Sequence, residues 1–147
     1  MNRDFAEMLS ALSEAGADFL VIGAHAVAVH AHPRATGDLD IWVRATPENA
    51  ERVWTALVAF GAPLHQLTRE DLASDDVVFQ IGVAPNRIDL LTTIGGVRFD
   101  EAWPRRTTVE LWGLSVPVIG REDLVRSKRA AGRPRDLADL AELEGTG

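Results

Sequence analysis

The sequence predicts an α+β domain built on a mixed β-sheet. Three observations predict it: apolar segments with strand character alternate with amphipathic helical segments, two hairpin signals follow, and two helical segments close the chain. The 147 residues suffice for one domain with its own core, and 46% apolar and 25% charged residues are typical of a globular protein. We expect a single domain over residues 1–147, with residues 121–144 as a C-terminal helical pair within it.

The helical segments are recognised by apolar residues three and four positions apart and by residues that begin or end helices. Thr46 and Pro47 are typical of a helix start, and Gly61 is typical of a helix end. A short helix is also expected after Thr68. The other predicted helices are 3–15, 24–31, 98–104, 121–131 and one that begins at Pro134. The last helix is expected to place three leucines on one face: Leu137, Leu140 and Leu143.

The strand segments are short apolar runs bounded by turn residues. Two stand alone in the first half, at 18–22 and 38–43. The next two, 77–83 and 87–92, are joined by the turn signal Ala84-Pro85-Asn86. The last two, 107–112 and 114–119, form a second predicted hairpin through Gly113. This order of elements predicts a sheet covered by helices, with two C-terminal helices.

Chemistry is indicated where the first strand ends and the second begins. Gly23 follows the first strand, and Asp38 and Asp40 lie two residues apart on the second, so their side chains project to one face. Two carboxylates that share one space repel each other unless a cation lies between them. Mg²⁺, or Mn²⁺ in its place, suits such oxygen ligands, and the backbone N–H groups at Gly23 suit a phosphate. The pattern therefore predicts chemistry on a nucleoside triphosphate.

This pattern resembles that of the nucleotidyltransferase superfamily, which has the DNA polymerase beta-like fold. The resemblance is strongest to AbiEii-like toxins and related small stand-alone nucleotidyltransferases. It rests on residues at two places in the chain: Gly23, Ala24, Ala26 and Val27, then Arg34, Thr36, Asp38 and Asp40. The resemblance implies Mg²⁺-dependent transfer of a nucleotide from an NTP to a hydroxyl of RNA or tRNA, a protein or a small molecule. It also implies a toxin–antitoxin role with an antitoxin protein as partner.

A third acidic residue completes the resemblance. The superfamily places it on a later strand, where Asp89 is the best match, so Asp38, Asp40 and Asp89 are the expected catalytic and metal-binding residues. Two of them would bind metal, and the third would complete the metal shell and accept the proton of the attacking hydroxyl. Asp89 could instead be an ion partner of Arg87, two residues before it on the same face.

Six residues are expected to bind the nucleotide: Gly23, Ala24, His25, Arg34, Thr36 and Lys128. Lys128 is the only lysine among 15 basic residues, and the segment from Lys128 to Leu140 resembles the C-terminal signature of AbiEii-like proteins. In those proteins the lysine lies near the triphosphate. Arg34 could instead pair with Asp38. Asp136 and Asp139 are expected to tie the last two helices together through Arg133 or Arg135.

Two other functions remain open. The superfamily usually has Gly or Ser where this chain has Ala24, so a degenerate module that binds nucleotide or a protein partner without turnover is an alternative. A modifier of small molecules, such as an antibiotic-adenylylating enzyme, is another, although the chain is short for one. Trp42 shares the face of Asp38 and Asp40 and could border the nucleotide pocket. Since three or four ligands must converge on zinc, the cluster of His25, His30 and His32 is not expected to form a zinc site.

Composition limits the remaining possibilities. There is no cysteine, which fits a cytoplasmic protein, and neither a signal-peptide core nor a run of about 18–20 apolar residues is present. A net charge of −7 argues against broad binding to nucleic acid. Six of the 15 basic residues nevertheless lie between Arg121 and Arg135, where they could bind phosphate groups locally.

Overall fold

The computed structural model describes residues 2–32, 37–83 and 86–145. The helices of this part of the chain are α1 Arg3–Glu14, α2 Gly23–His30, α3 Pro47–Phe60, α4 Arg69–Leu72, α5 Phe99–Ala102, α6 Arg121–Ala131 and α7 Pro134–Gly145, with a 3₁₀ turn at Trp103–Arg105. The strands are β1 Phe19–Ile22, β2 Leu39–Val43, β3 Val78–Ile81, β4 Ile88–Leu91, β5 Thr107–Leu111 and β6 Leu114–Val118. The predicted order of helices and strands is confirmed.

The six strands form one mixed sheet in the order β3-β4-β2-β1-β6-β5. Both predicted hairpins are present, as the antiparallel pairs β3–β4 and β5–β6. Between them, β1 pairs antiparallel with β2, while β2–β4 and β1–β6 are parallel. The parallel pairs bring together strands that are far apart in the sequence, and local patterns did not predict which strands would meet.

The alternation of side chains fixes which face of the sheet is buried. Leu39 pairs with Ile88 and Ile41 pairs with Leu90, and each of these side chains is at most 1% exposed. Burying one such side chain stabilises the fold by about 1.5–3 kcal/mol. Because successive strand residues point to opposite faces, the acidic residues between these hydrophobic ones must point away from this part of the core.

Helix α3 is fixed to the sheet by residues at its start. The Thr46 side chain accepts a hydrogen bond from the Asn49 N–H, as expected of an N-cap, and Gly61 ends the helix in the left-handed conformation. Asn49 is buried, accepts a hydrogen bond from the Asp18 N–H (2.7 Å) and donates to the carbonyls of Asp18 (3.0 Å) and Arg44 (2.9 Å). These bonds hold the helix against the ends of β1 and β2.

The last helix differs from the prediction at one position. Leu140 and Leu143 are buried, but Leu137 is 56% exposed, so the three leucines do not share one buried face. Asp136, near the start of the helix, is fully buried instead. Its charge is tolerated there because the carboxylate pairs with Lys128 and Arg133. Among the helices that the structure describes, none has the length and apolar character needed to cross a membrane.

Candidate active site

Two of the three predicted catalytic acids are direct neighbours in the sheet. Asp40 on β2 pairs with Asp89 on β4 in the parallel register, so their side chains share one face about one strand spacing apart. Asp38 comes two residues before Asp40, immediately before the start of β2. The alternation that buries Leu39 and Ile88 therefore brings Asp38, Asp40 and Asp89 together at one end of two adjacent strands.

Gly23 meets two requirements beside Asp40. It follows Ile22, which pairs with Asp40 across β1 and β2, and its φ of 68° lies in the left-handed region. A Cβ atom at this position would lie 2.3 Å from Asp40 Oδ2, so a larger residue would displace the carboxylate. Helix α2 begins at Gly23, and the site cavity is bordered by Gly23 and Ala24. Backbone N–H groups at a helix start favour anions such as phosphate.

Arg87 binds two of the three acids. Its Nε and Nη2 atoms donate to the two carboxylate oxygens of Asp89 at 2.8 and 3.1 Å. Nη2 also lies 3.4 Å from Asp38 Oδ2, and the Arg87 backbone N–H donates to Asp38 Oδ1 at 2.9 Å. The Arg87–Asp89 ion pair considered from the sequence is therefore present, but Asp89 still borders the same cavity as the other two acids.

Burial and the two neighbouring carboxylates disfavour the ionised form of Asp40. Burial, followed by repulsion from Asp89 and Asp38, raises its pKa to about 6, and the cations Lys128 and Arg135 oppose that rise. Near neutral pH a substantial free-energy cost therefore attends the ionised form of Asp40. A cation placed beside Asp40 would reduce this cost.

The opposite wall of the cavity comes from α6, α7 and the residues between them. Lys128 Nζ lies 3.3 Å from Asp136 Oδ1 and 3.1 Å from Asp139 Oδ2. Arg133 Nε donates to Asp136 Oδ2 at 2.6 Å. Although burial alone would raise the pKa of Asp136, the hydrogen bonds from Arg133 and the charge of Lys128 hold it below its ordinary value. Asp136 thus ties the two helices together through Lys128 as well as through the expected Arg133.

The cavity between these walls has a volume of about 600 Å³. Six of the predicted site residues border it: Gly23, Ala24, Asp38, Asp40, Asp89 and Lys128. The face of the sheet that bears the acids is thus partly covered, since α6 and α7 form the far side of the cavity.

The sequence of this chain matches a known protein family. Residues 1–146 match the family described as "Nucleotidyl transferase of unknown function (DUF2204)". The chain belongs to this family. It is a nucleotidyltransferase with the acids of its sequence motif gathered around one cavity. No curated protein matches the chain significantly in sequence.

Two solved structures share the fold of this nucleotidyltransferase. One is a Thermotoga maritima protein provisionally described as a nucleotidyltransferase, with a TM-score of 0.64 and 14% identity over 99% of this chain and 92% of that one. The other is the lincosamide antibiotic adenylyltransferase LnuA bound to lincomycin, with a TM-score of 0.62 and 14% identity over 100% of this chain and 98% of that one. Both likenesses extend over nearly the whole length of each chain, and they show a shared fold.

Other predicted site residues of the nucleotidyltransferase lie elsewhere. The His25 ring packs edge-on against Phe5 and Trp112, and its Nε2 donates to the Gly37 carbonyl at 3.3 Å. Trp42 is buried against Phe99 and borders a neighbouring cavity rather than the one that contains the acids. Both side chains differ from the expectation that they lie at the nucleotide pocket, because each packs against other aromatic rings. Arg34 and Thr36, together with the proposed Arg34–Asp38 pair, lie outside the described residues.

Sequence reasoning missed three basic residues of the nucleotidyltransferase site as candidates. Arg87, Arg133 and Arg135 all border the cavity. The cluster of basic residues between positions 121 and 135 was the available signal for the last two. Arg87 was identified only as a partner of Asp89, since nothing local indicated that it would also reach Asp38.

The donor set of the nucleotidyltransferase fits a hard divalent cation. Asp38, Asp40 and Asp89 supply carboxylate oxygens, which Mg²⁺ prefers. Burial and repulsion from the other two acids raise the pKa of Asp40, so a cation beside it would favour its ionised form. Within residues 2–32, 37–83 and 86–145, no group of three or more His, Asp or Glu side chains is already arranged to hold a metal ion. Asp38, Asp40 and Asp89 are nevertheless close together, and Arg87 forms ion pairs with Asp38 and Asp89.

Proposed function

We propose that this protein transfers a nucleoside monophosphate from an NTP to a hydroxyl group in an Mg²⁺-dependent reaction. One observation supports the proposal above all others. Three carboxylates on adjacent strands face a cavity whose far wall presents the cations Lys128 and Arg133. The carboxylates can bind a metal ion, and the cations across the cavity can bind phosphate groups. An NTP bound together with its metal ion requires both kinds of group.

The reaction assigns a separate task to each wall of the cavity. The acceptor oxygen attacks the α-phosphorus, the bond to the bridging oxygen breaks, and pyrophosphate leaves. Mg²⁺ held by Asp38, Asp40 and Asp89 would neutralise phosphate charge during this displacement. We assign the proton of the hydroxyl to Asp89, and the leaving pyrophosphate to Lys128 and the N–H groups at Gly23. Positioning and charge compensation supply most of the rate in such transfers.

A second cavity favours a small cationic acceptor. It has a volume of about 680 Å³ and shares Thr93 and Ile94 with the cavity that contains the three catalytic acids. A molecule bound in this second cavity would therefore lie beside those three acids. Its walls combine aromatic rings, two arginines and four acids; the acids are Asp75, Asp76, Asp100 and Glu101. The excess of acidic over basic side chains, together with the net charge of −7, disfavours a polyanion.

RNA or tRNA as acceptor, and with it a role as an AbiEii-like toxin, is a second candidate. The basic residues between Arg121 and Arg135 favour it, because they could bind a phosphate backbone near the cavity. A protein acceptor and an antitoxin partner belong to the same hypothesis.

Calorimetry with each NTP, with and without Mg²⁺, tests the proposal. We expect Mg²⁺-dependent binding by the wild type and its loss in the Asp38→Asn/Asp40→Asn double variant, with the fold retained by circular dichroism. Pyrophosphate release is then measured with hydroxylated amines, with tRNA and with protein acceptors. Release with amines supports the small-molecule acceptor, and release with tRNA alone supports the toxin hypothesis.

The degenerate module predicts a different result. If the wild type binds an NTP but releases no pyrophosphate with any acceptor, binding without turnover is favoured, with Ala24 as the first residue to revert to Ser or Gly. Absence of Mg²⁺-dependent NTP binding in the wild type would contradict the proposed function.

A further inference from the structure

Arg87 contacts all four carboxylate oxygens of two proposed metal ligands. Its guanidinium takes both oxygens of Asp89, at 2.8 and 3.1 Å, and approaches Asp38 Oδ2 at 3.4 Å. Its backbone N–H takes the remaining oxygen of Asp38 at 2.9 Å. One residue therefore contacts all four oxygens from which a divalent ion would draw its ligands.

The charges explain why an arginine lies there. Three carboxylates converge on one end of β2 and β4, where only part of their surface reaches water: the Asp38 side chain is 23% exposed and that of Asp89 is 11% exposed. Without a cation their mutual repulsion is large, and the Arg87 guanidinium provides one positive charge in direct contact. The planar guanidinium also matches the geometry of a carboxylate with two hydrogen bonds.

A guanidinium and a metal ion compete for the same carboxylate oxygens. Besides the overlap of positions, a divalent ion repels the positive charge of Arg87 at such short range. Metal binding to Asp38 and Asp89 therefore favours departure of the guanidinium. Arg87 is 32% exposed and borders the cavity, so its side chain has room to turn toward the space where a triphosphate would lie.

We propose that Arg87 is a resident counter-ion of the catalytic acids, which a divalent metal displaces from Asp38 and Asp89 and which then contacts the triphosphate. This inference rests on the proposed function. It assigns Arg87 a positioning role that depends on the state of the site: it holds the acids in place without metal and faces the nucleotide when metal is bound.

A purely structural ion pair makes a different prediction. If Arg87 only stabilises the fold, its loss weakens the acids' support, and metal affinity falls or stays the same. If Arg87 competes with metal, its loss frees four oxygens and removes a repelling charge, and metal affinity rises. The sign of the change in metal affinity therefore separates the two roles.

The test titrates Mg²⁺ and Mn²⁺ into nucleotide-free wild type, Arg87→Gln and Arg87→Lys by calorimetry. We expect Arg87→Gln to bind either metal about tenfold more tightly than the wild type, since one unit charge at contact distance is removed. Arg87→Lys, which keeps the charge but cannot reach both acids in the same way, should lie between them. The control is Arg69→Gln, which removes an exposed arginine paired with Glu51 at 3.0 Å on another face and should match the wild type.

Thermal unfolding provides an independent measurement without turnover. Arg87→Gln should melt below the wild type without metal, and saturating Mg²⁺ should raise its melting temperature more than that of the wild type. Equal or weaker metal binding by Arg87→Gln would overturn the inference even if the wild type transfers nucleotides normally. If Arg87→Gln does not fold, Arg87→Lys decides by the same comparison. Failure of the wild type to bind NTP with Mg²⁺ would instead contradict the proposed function itself.

Discussion

At the scale of single residues, the site depends on the absence of a side chain at Gly23. Gly23 lacks the Cβ that would meet Asp40 Oδ2 at 2.3 Å, and it adopts a φ of 68° that few other residues accept. The carboxylate and the glycine therefore form one unit, in which the backbone leaves space for the acid.

Gly23→Ala should disable the site beyond its effect on the backbone. We expect the variant to lose about 100-fold in kcat/KM, because the added methyl displaces Asp40 by more than the reaction tolerates. Gly16→Ala is the matched control: its φ is 73°, but nothing lies within 4 Å of the added Cβ. Both variants should lose about 1–2 kcal/mol of stability from left-handed strain, measured by urea unfolding. Equal activity in the two would show that the contact with Asp40 is unimportant.

Asp40→Asn should stabilise the protein while it removes activity. Because the pKa of Asp40 is raised to about 6, the folded state binds its proton more tightly than the unfolded chain. The associated stability is fully present below about pH 4 and is lost as pH rises through 6. At pH 7.5 we expect the variant to be more stable by about 1–2 kcal/mol, and the difference should vanish toward pH 4.

Unfolding by urea at several pH values, with the exposed Glu7→Gln variant as control, measures this difference. A variant that is less stable than the wild type at pH 7.5 would contradict it. In the wild type, metal-dependent activity should decline as pH falls through about 6, because protonated Asp40 binds metal poorly.

At the scale of elements, α6 and α7 present cations to the acids across the cavity. The carboxylate of Asp136, buried at the start of α7, fixes Lys128 on α6 and Arg133 in the turn between the two helices, so the positions of these charges depend on the packing of both helices. The exposed Leu137 follows from this arrangement, because the helix turns its acid inward at the preceding position.

Lys128→Gln should weaken nucleotide binding. Losing one charged hydrogen-bond donor is expected to raise the KM for NTP about tenfold, since such bonds contribute about 1.5–3 kcal/mol. Arg129→Gln is the control, because Arg129 lies next in the same helix but pairs with the exposed Glu144. Steady-state kinetics distinguishes them, and an unchanged KM in Lys128→Gln would exclude contact with the triphosphate.

The sequence predicted the positions of the helices and strands better than it predicted which strands pair in the sheet. Thr46, Gly61 and Thr68 begin or end helices where expected, because capping acts over three or four residues. The parallel pairing of β2 with β4 joins residues almost fifty positions apart, and nothing local specifies it. Asp89 was reached only through resemblance to a family, and the contact of Arg87 with Asp38 depends on that same distant pairing.

At the scale of the whole molecule, charge is distributed unevenly between two adjoining cavities. One joins the acids of the sheet to the bases of α6 and α7, and the other has more acidic than basic side chains. The net charge of −7 makes the protein as a whole a poor ligand for polyanions at physiological salt.

Asp75→Asn/Asp76→Asn tests this assignment of the second cavity. Both residues are exposed, and Asn tolerates the φ of 62° at Asp76, so the fold should be retained. With a cationic acceptor we expect KM to rise about threefold to tenfold and kcat to change little, as when two nearby charges are removed. Glu70→Gln, an exposed acid on α4, is the control. An unchanged KM would indicate that the acceptor does not enter through this cavity.

The parallel pairing of β2 with β4 also has a consequence for the order of events during folding. Asp38 and Arg87 are 49 residues apart, so the ends of a long loop must meet before the acids share one space. Helices and hairpins form from local contacts and need no such closure, and contacts between distant residues slow folding. Nucleotide binding should therefore reappear during refolding after most helical signal has returned, which makes it a late marker of the completed sheet.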